Sequence, residues 1–200
     1  MAGDAGIWGQ GLDGFRAAVA GDAPTPGCGA VAAVAADLGL ALVIKALRIS
    51  DRHGADASRG RLAGHAQTLL ERLGAYADED VRAFARHLRA DDADVTGAEG
   101  QAHRNACAVP LATAHACLEG LGLALAAWPL CAAALRSDVH AGALLLDAGL
   151  RAVLVNVEAD APALQDARAR AEALQARDRL RDDAQARMRE LQALLTDTAR

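Results

Sequence analysis

The first group of residues that could do chemistry lies in a proline and glycine turn, PTPGCG, at residues 24–29. Pro24 and Pro26 fix the backbone angle φ, whereas Gly27 and Gly29 permit a close approach of the backbone to a ligand. An almost entirely apolar run follows at residues 30–47 and predicts a buried helix. Because the first N–H groups of a helix lack partners and carry positive partial charge, we expect an anion or a polarised oxygen to bind here.

Cysteine and histidine residues offer two further kinds of chemistry. Cys28, at the start of the predicted helix, could be a nucleophile, since a thiol there has a lowered pKa. No histidine partner can be identified for it, and the sequence favours a small residue in the place of a glycine. His103 and Cys107 share a helical face, and His115 and Cys117 follow, but no second close pair completes a zinc pattern. We expect no metal.

Carboxylates and one amide form the third group. Asp78, Glu79 and Asp80 precede an apolar segment, where they could cap a helix or serve a site. Asp138 belongs to an SDV segment that resembles a helix cap. Asn156 lies among apolar residues and must be hydrogen-bonded if it is buried, so it either holds the fold together or contacts a ligand.

Composition indicates which elements must position these side chains. The 200 residues are 52% hydrophobic, largely Ala and Leu, and only 2% aromatic, which predicts an all-α protein with a single domain over residues 1–200. A net charge of -5 gives no electrostatic reason to bind nucleic acid or an anionic membrane. No secretory signal is visible, so we expect a cytoplasmic protein. The four cysteines show no C-x-x-C pair and are expected to be free thiols.

The helix pattern predicts a multi-helix bundle, orthogonal or up-down, with long buried central helices. Asp37 and Lys45 interrupt the most apolar helix, where they must either pair with other groups or face a cavity. Both apolar runs that could be mistaken for membrane spans are better explained as buried helices. The predicted helices cover residues 12–20, 30–50, 57–73, a helix after the three acids, 101–134 with breaks at its prolines, a helix opened by SDV, and a long solvated C-terminal helix over 162–200.

Several of these segments together resemble one family. The run PTPGCGAVAAVAADLGLALV resembles the PTPGGGS segment of the cyclodeaminase/cyclohydrolase family, which includes methenyltetrahydrofolate cyclohydrolases and the cyclodeaminase domain of formiminotransferase-cyclodeaminase. DEDVRAF resembles the family's DxDAxAF, and SDVHAGALLLDAGLRAVLVNV resembles its SDVxxAxxLLxxAxxxAxxNV. The resemblance runs in the same order from about Leu12 to Asp160.

The resemblance implies an all-helical protein, a homodimer or higher oligomer, that binds a tetrahydrofolate derivative in a cleft formed partly by the proline and glycine loop. It requires no organic cofactor. As a hypothesis, Asp138 or Asp78 is the catalytic carboxylate. Asn156 hydrogen-bonds the pterin or the reacting water. The residues expected to bind substrate are Pro24, Thr25, Pro26, Gly27, Cys28, Gly29, Ser137 and Asn156.

Three functions follow from the resemblance. The first expectation is a methenyltetrahydrofolate cyclohydrolase, a hydrolase that converts 5,10-methenyltetrahydrofolate to 10-formyltetrahydrofolate in one-carbon metabolism. The second is a formimidoyltetrahydrofolate cyclodeaminase, which releases ammonia. The third is a catalytically silent helical homologue that keeps the fold. Cys28, Ala30 and Asp37 depart from the residues usual in the family, so the loop is where this chain has diverged.

Overall fold

The computed structural model describes the backbone of residues 6–91 and 98–198 and the side chains of residues 6–84 and 107–196. Six α-helices and no strand are found in these residues. The all-α prediction is therefore confirmed. The helices are α1 (Leu12–Val19), α2 (Cys28–Arg52), α3 (Ala57–Asp91), α4 (Ala98–Ala127), α5 (Arg136–Asp160) and α6 (Ala167–Thr198). Turns of 3₁₀ helix lie before α1, between α4 and α5 and between α5 and α6.

Helices α2 to α5 form an up-down four-helix bundle. Each packs against its neighbours in chain order, and α5 closes the ring by packing against α2, while α6 lies along the outside of α4 and α5. Short connections make consecutive helices antiparallel. The core between them is mostly Leu, Val and Ala, with Leu40, Leu47, Leu69, Leu146 and Leu150 completely buried.

Helices α2 and α5 come especially close because glycine and alanine line their contact. A side-chain carbon on Gly39 would lie 2.7 Å from the carbonyl oxygen of Gly142, and one on Gly149 would lie 2.8 Å from the carbonyl oxygen of Ala32. The contacts run in opposite directions along the two helices, since residue 32 meets 149 and residue 39 meets 142. Small residues thus let two backbones touch and bury α2 at the centre of the bundle.

Two helices, Cys28–Arg52 and one spanning Cys107–Leu130, are long and apolar enough to cross a membrane by length and composition alone. The bundle explains their apolar character in another way, because 67% of the apolar stretch in the first and 50% of that in the second are buried inside the protein. We therefore interpret both as core helices, as the sequence predicts.

Three predicted boundaries differ from the structure. The helix predicted over 57–73 does not end there, because α3 continues through Gly74, whose carbonyl oxygen accepts a hydrogen bond from Trp8 Nε1 at 2.9 Å. The predicted helix over 101–134 ends at Ala127, and Pro129 lies in a 3₁₀ turn, whereas Pro110 lies inside α4. The C-terminal helix begins at Ala167, after a separate turn at Ala161–Ala163.

The SDV segment does not cap its helix. Helix α5 begins at Arg136, and its N-cap residue is Leu135, which makes no side-chain capping bond. Ser137 and Asp138 therefore lie within the first helical turn. The carboxylate of Asp138 instead pairs with Lys45, whose Nζ lies 2.9 Å from Asp138 Oδ2. Of the two possibilities for Lys45, a partner or a cavity, the structure shows a partner, because the charge of Lys45 is paired with that of Asp138.

Candidate functional site

A cavity of about 300 Å³ opens at one end of the bundle, where α2 begins and α5 ends. All four helices of the bundle and the loop before α2 contribute to its wall. Its lining combines a mostly apolar surface with a few polar groups, which is the usual character of a small-molecule site. The residues that line it are Pro24, Thr25, Gly27, Cys28, Gly29, Asp80, Ala83, Phe84, Val109, Pro110, Asn156 and Asp160.

The loop of residues 24–27 forms part of the cavity wall. The Thr25–Pro26 peptide bond is cis, and Gly27 is the N-cap residue of α2, with no side-chain capping bond from within the loop. Pro24, Thr25, Gly27, Cys28 and Gly29 all face the cavity. Pro26 faces a neighbouring depression instead, together with Asp78. The structure thus brings together most of the loop residues that the sequence predicts to bind substrate.

Asp80 is one of two carboxylates that line the cavity, the other being Asp160, and it lies beside the start of α2. Burial is the largest effect and raises the pKa of Asp80 above its usual value. A hydrogen bond from the backbone N–H of Ala30 acts against this rise, and the negative charge of Asp160 adds to it. A carboxyl group of this kind can bind and release a proton closer to neutral pH.

Asp80 is not among the catalytic residues predicted from the sequence, although it belongs to the run of three consecutive acids at residues 78–80. Residues at i and i+2 of a helix point in very different directions. Asp78 consequently faces the N-terminal segment, where its Oδ1 accepts a hydrogen bond from the N–H of Ile7 at 2.7 Å. Asp78 and Asp80 thus each accept a hydrogen bond from the backbone at the start of another element, at Ile7 and at Ala30. Neither of them caps the helix to which it belongs.

The other predicted carboxylate, Asp138, lies at the opposite end of the bundle. Residues 138 and 156 belong to the same helix, so about 27 Å of helix separates Asp138 from the cavity. Ser137 lies beside it and does not line the cavity either. Within this chain, the structure brings the loop and Asn156 together but places Asp78, Asp138 and Ser137 elsewhere.

Asn156 reaches the cavity from α5 and contacts the start of α2. The thiol of Cys28 donates a hydrogen bond to Asn156 Oδ1. Gly29 leaves room for this arrangement, because a side-chain carbon on it would lie 2.6 Å from Asp80 Cγ and 2.8 Å from Asn156 Nδ2. Any residue larger than glycine would displace both groups. Glycine is therefore required at position 29 because these side chains approach the backbone closely, and not because of an unusual φ angle.

The other cysteines are core residues. All four thiols are free, and Cys107, Cys117 and Cys131 are buried. Burial raises the pKa of Cys107 to about 11 and that of Cys117 to about 12, so both stay protonated and unreactive. The side chain of His103, the possible zinc partner of Cys107, lies outside the described residues.

Comparisons with known proteins identify the fold through a solved structure and the family through a sequence model. The chain is similar to the crystal structure of formiminotetrahydrofolate cyclodeaminase from Thermotoga maritima, with a TM-score of 0.88 and 20% sequence identity over 96% of this chain and 98% of that one. A search of curated proteins found no match. The sequence model of the formiminotransferase-cyclodeaminase family matches residues 11–179. The cavity described above lies within that range, and the chain therefore belongs to the formiminotransferase-cyclodeaminase family.

Proposed function

We propose that this chain is a formimidoyltetrahydrofolate cyclodeaminase, which closes 5-formimidoyltetrahydrofolate to 5,10-methenyltetrahydrofolate and releases ammonia. The resemblance in sequence favours a methenyltetrahydrofolate cyclohydrolase first and this activity second. The family match and the activity named for the Thermotoga maritima protein both favour the cyclodeaminase. The observation that carries the proposal is Asp80, a carboxyl group of raised pKa on the wall of a ligand-sized cavity.

The charge of the cavity suits this substrate. The formimidoyl group is an amidine and is cationic when protonated, and the methenyl product is a cation as well. Asp80 and Asp160 both line the cavity. Negative groups in a partly enclosed site attract a cation and stabilise positive charge through the reaction. Val109 and Pro110 supply apolar surface for a flat ring system.

The reaction needs one proton moved between two nitrogen atoms of the substrate. N10 attacks the carbon of the protonated N5–CH=NH₂⁺ group, a C–N10 bond forms, and N10 gives up its proton. The amino group of the neutral adduct then takes a proton, and the C–N bond to it breaks, which releases ammonia and leaves the methenyl cation. Asp80 can take the proton from N10 and return it to the leaving amine. No proton or electron is left over.

Asn156 and the loop would position the substrate in this mechanism. The amide is a hydrogen-bonding group that lies next to the carboxylate, and the loop closes one side of the cavity. Holding the two nitrogen atoms at bonding distance is a large part of what such a site must do, because the reaction is intramolecular and depends on orientation.

Ammonia release from 5-formimidoyltetrahydrofolate by the purified protein tests the proposal, with methenyltetrahydrofolate formation followed by its absorbance. We expect Asp80→Asn to lower kcat by about 10²- to 10⁴-fold, since the proton carrier is lost. In the parent protein kcat should fall as the pH is lowered through the raised pKa of Asp80, because the carboxylate must be ionised to accept a proton.

Two further assays make the result decisive. Loss of methenyltetrahydrofolate beyond its spontaneous rate, without ammonia release from the formimidoyl substrate, would favour the cyclohydrolase. Asp138→Asn compares the two carboxylate assignments, because it removes the acid at the far end of the bundle and leaves the cavity intact. A loss of turnover in Asp138→Asn as large as in Asp80→Asn would contradict the role of Asp80.

A further inference from the structure

Cys28, the first residue of α2, makes a side-chain contact that the glycine usual at this position in the family could not make. Cys28 stands where the resembling segment PTPGGGS has glycine, and its side chain is exposed on the cavity wall. Its thiol donates a hydrogen bond to Asn156 Oδ1, a residue 128 positions further along the chain. The contact ties the first turn of α2 to the end of α5, the two elements that meet at the mouth of the cavity.

The direction of this hydrogen bond decides what Asn156 offers to a ligand. A side-chain amide has an oxygen that only accepts hydrogen bonds and a nitrogen that only donates them. When Oδ1 is held by the thiol of Cys28, Nδ2 is turned to the side of Gly29, 2.8 Å from the point that a side chain there would occupy. The carboxylate of Asp80 approaches the same point.

This orientation is the electrostatically favourable one beside Asp80. With Nδ2 on that side, the amide presents two N–H donors next to a carboxylate. Rotated by half a turn, the amide would place its oxygen against the carboxylate, and two acceptors would face each other with no proton between them. The thiol thus holds the amide in the orientation that Asp80 also prefers.

We propose that Cys28 is a positioning residue of this site, which fixes the amide of Asn156 with its N–H groups toward Asp80 and the ligand. The inference rests on the proposed function in that the ligand is taken to be the folate substrate. Cys28 acts through Asn156 and takes no covalent part in the reaction. A hydroxyl group at position 28 can make the same hydrogen bond, whereas a hydrogen atom or a methyl group cannot.

Nuclear magnetic resonance can read the amide directly, without any substrate. The sequence has only two asparagines, Asn105 and Asn156, so labelling asparagine with ¹⁵N gives two side-chain NH₂ pairs. Asn156→Ala identifies the pair that belongs to Asn156. We expect the same Asn156 resonances in the parent and in Cys28→Ser, and a shift toward the position of a free amide in Cys28→Ala and Cys28→Gly. An unchanged Asn156 pair in Cys28→Ala would overturn the proposal.

Kinetics provide the second readout. Cys28→Ala and Cys28→Gly should each lower kcat about three- to tenfold, the effect of one lost hydrogen bond, with a smaller change in KM. Cys28→Ser should stay within about twofold of the parent. In an Asn156→Ala background, Cys28→Ala should have no further effect, because residues that act through one another are not additive. Circular dichroism confirms that each variant is folded.

The possible failures can be told apart. If Cys28→Ser loses as much activity as Cys28→Ala, the thiol itself reacts and the positioning role is wrong. Equal and additive effects of Cys28→Ala in the parent and in Asn156→Ala would also overturn it. If the parent turns over neither folate, the proposed function fails, but the comparison of the Asn156 resonances still decides whether Cys28 positions the amide.

Discussion

Asp37 is a carboxyl group in the middle of the most apolar helix, and it is only 8% exposed. It lies in a shallow depression next to Trp8, Leu70 and Gly74, and Glu71 and Asp78 line the same depression. Burial raises the pKa of Asp37 to about 6. The folded protein therefore binds this proton more tightly than the unfolded chain, whose aspartates titrate near 3.9.

Replacement of Asp37 by asparagine should stabilise the protein above pH 6. Between about pH 4 and pH 6 the parent loses stability as the pH rises, because the folded state retains a proton that the unfolded state has already released. We expect Asp37→Asn to remove this dependence. The gain in the free energy of unfolding at pH 8 should be about 1–2 kcal/mol, allowing for partial screening by solvent, and should be absent at pH 4.

Thermal unfolding at several pH values measures this effect. The exposed Asp22, on the loop before the cis proline, provides the control, since Asp22→Asn should change the melting temperature equally little at each pH. An identical pH dependence in the parent and in Asp37→Asn would show that the buried carboxyl group does not control stability.

Some residues of the site can be predicted from the sequence and others cannot, because only some of them stand out from their neighbours in the chain. The loop residues and Asn156 could be found because proline, glycine and a polar residue in an apolar stretch stand out locally. Asp80 could not be separated from Asp78, since both lie in one acidic run, and only the docking of α3 against α2 decides which of them meets the cavity. The contact of Cys28 with Asn156 has no local signal at all.

Secondary structure was predicted more completely than the site. Ala and Leu at helical spacing identify every helix of the bundle, because that pattern is local. The helix predicted over 57–73 stops before Gly74, since glycine lowers helix propensity, but Trp8 contacts Gly74 and α3 continues through it. Tertiary packing overrode propensity at that position, and only Trp8, far away in sequence, could have indicated it.

The contact between α2 and α5 gives a prediction for a whole element. Gly39→Ala should destabilise the protein by about 1–3 kcal/mol, because the added carbon would meet the carbonyl oxygen of Gly142 and Leu145 Cβ at 2.7 and 2.8 Å, and the helices must move apart. Gly64 is the matched control: it lies within α3, and a side chain on it would meet nothing within 4 Å.

Gly64→Ala should therefore stabilise the protein by about 0.5–1 kcal/mol, since alanine has the better helix propensity. Denaturant unfolding of both variants compares them directly. Equal stabilisation by the two substitutions would mean that the two helices are not held at contact distance.

At the scale of the molecule, α5 presents an apolar stripe to solvent. Leu145 and Val155 are 36% and 58% exposed, and Ala141, Ala148 and Ala152 lie between or beside them at alternating spacings of four and three residues. Leu38 of α2 is 50% exposed and precedes Gly39, which packs against Leu145. Such a stripe is the pattern of a helix that packs against another helix. It supports the expectation of self-association, which the resemblance had implied.

We expect the parent to sediment as a dimer or larger species and Leu145→Arg to shift it toward the monomer, because a charge in an apolar helix contact is costly. Leu12→Arg is the matched control, since Leu12 is also exposed but lies on α1, away from the stripe. Light scattering coupled to size-exclusion chromatography measures the masses. A monomeric parent would contradict the expectation.

The two acids of α3 that cap other elements link the site to local opening of the chain. Asp78 holds Ile7 and Asp80 holds Ala30, and around them lies a small core of Ile7, Phe15, Ala30, Ala33, Val34 and Ala77 that is separate from the main one. A segment with its own small core can open without unfolding of the bundle. Amide hydrogen exchange in residues 7–34 should then be faster than in the rest of α2. A ligand that binds Asp80 should slow this exchange, so binding in the cavity would be detected as protection of the backbone amides near Ile7.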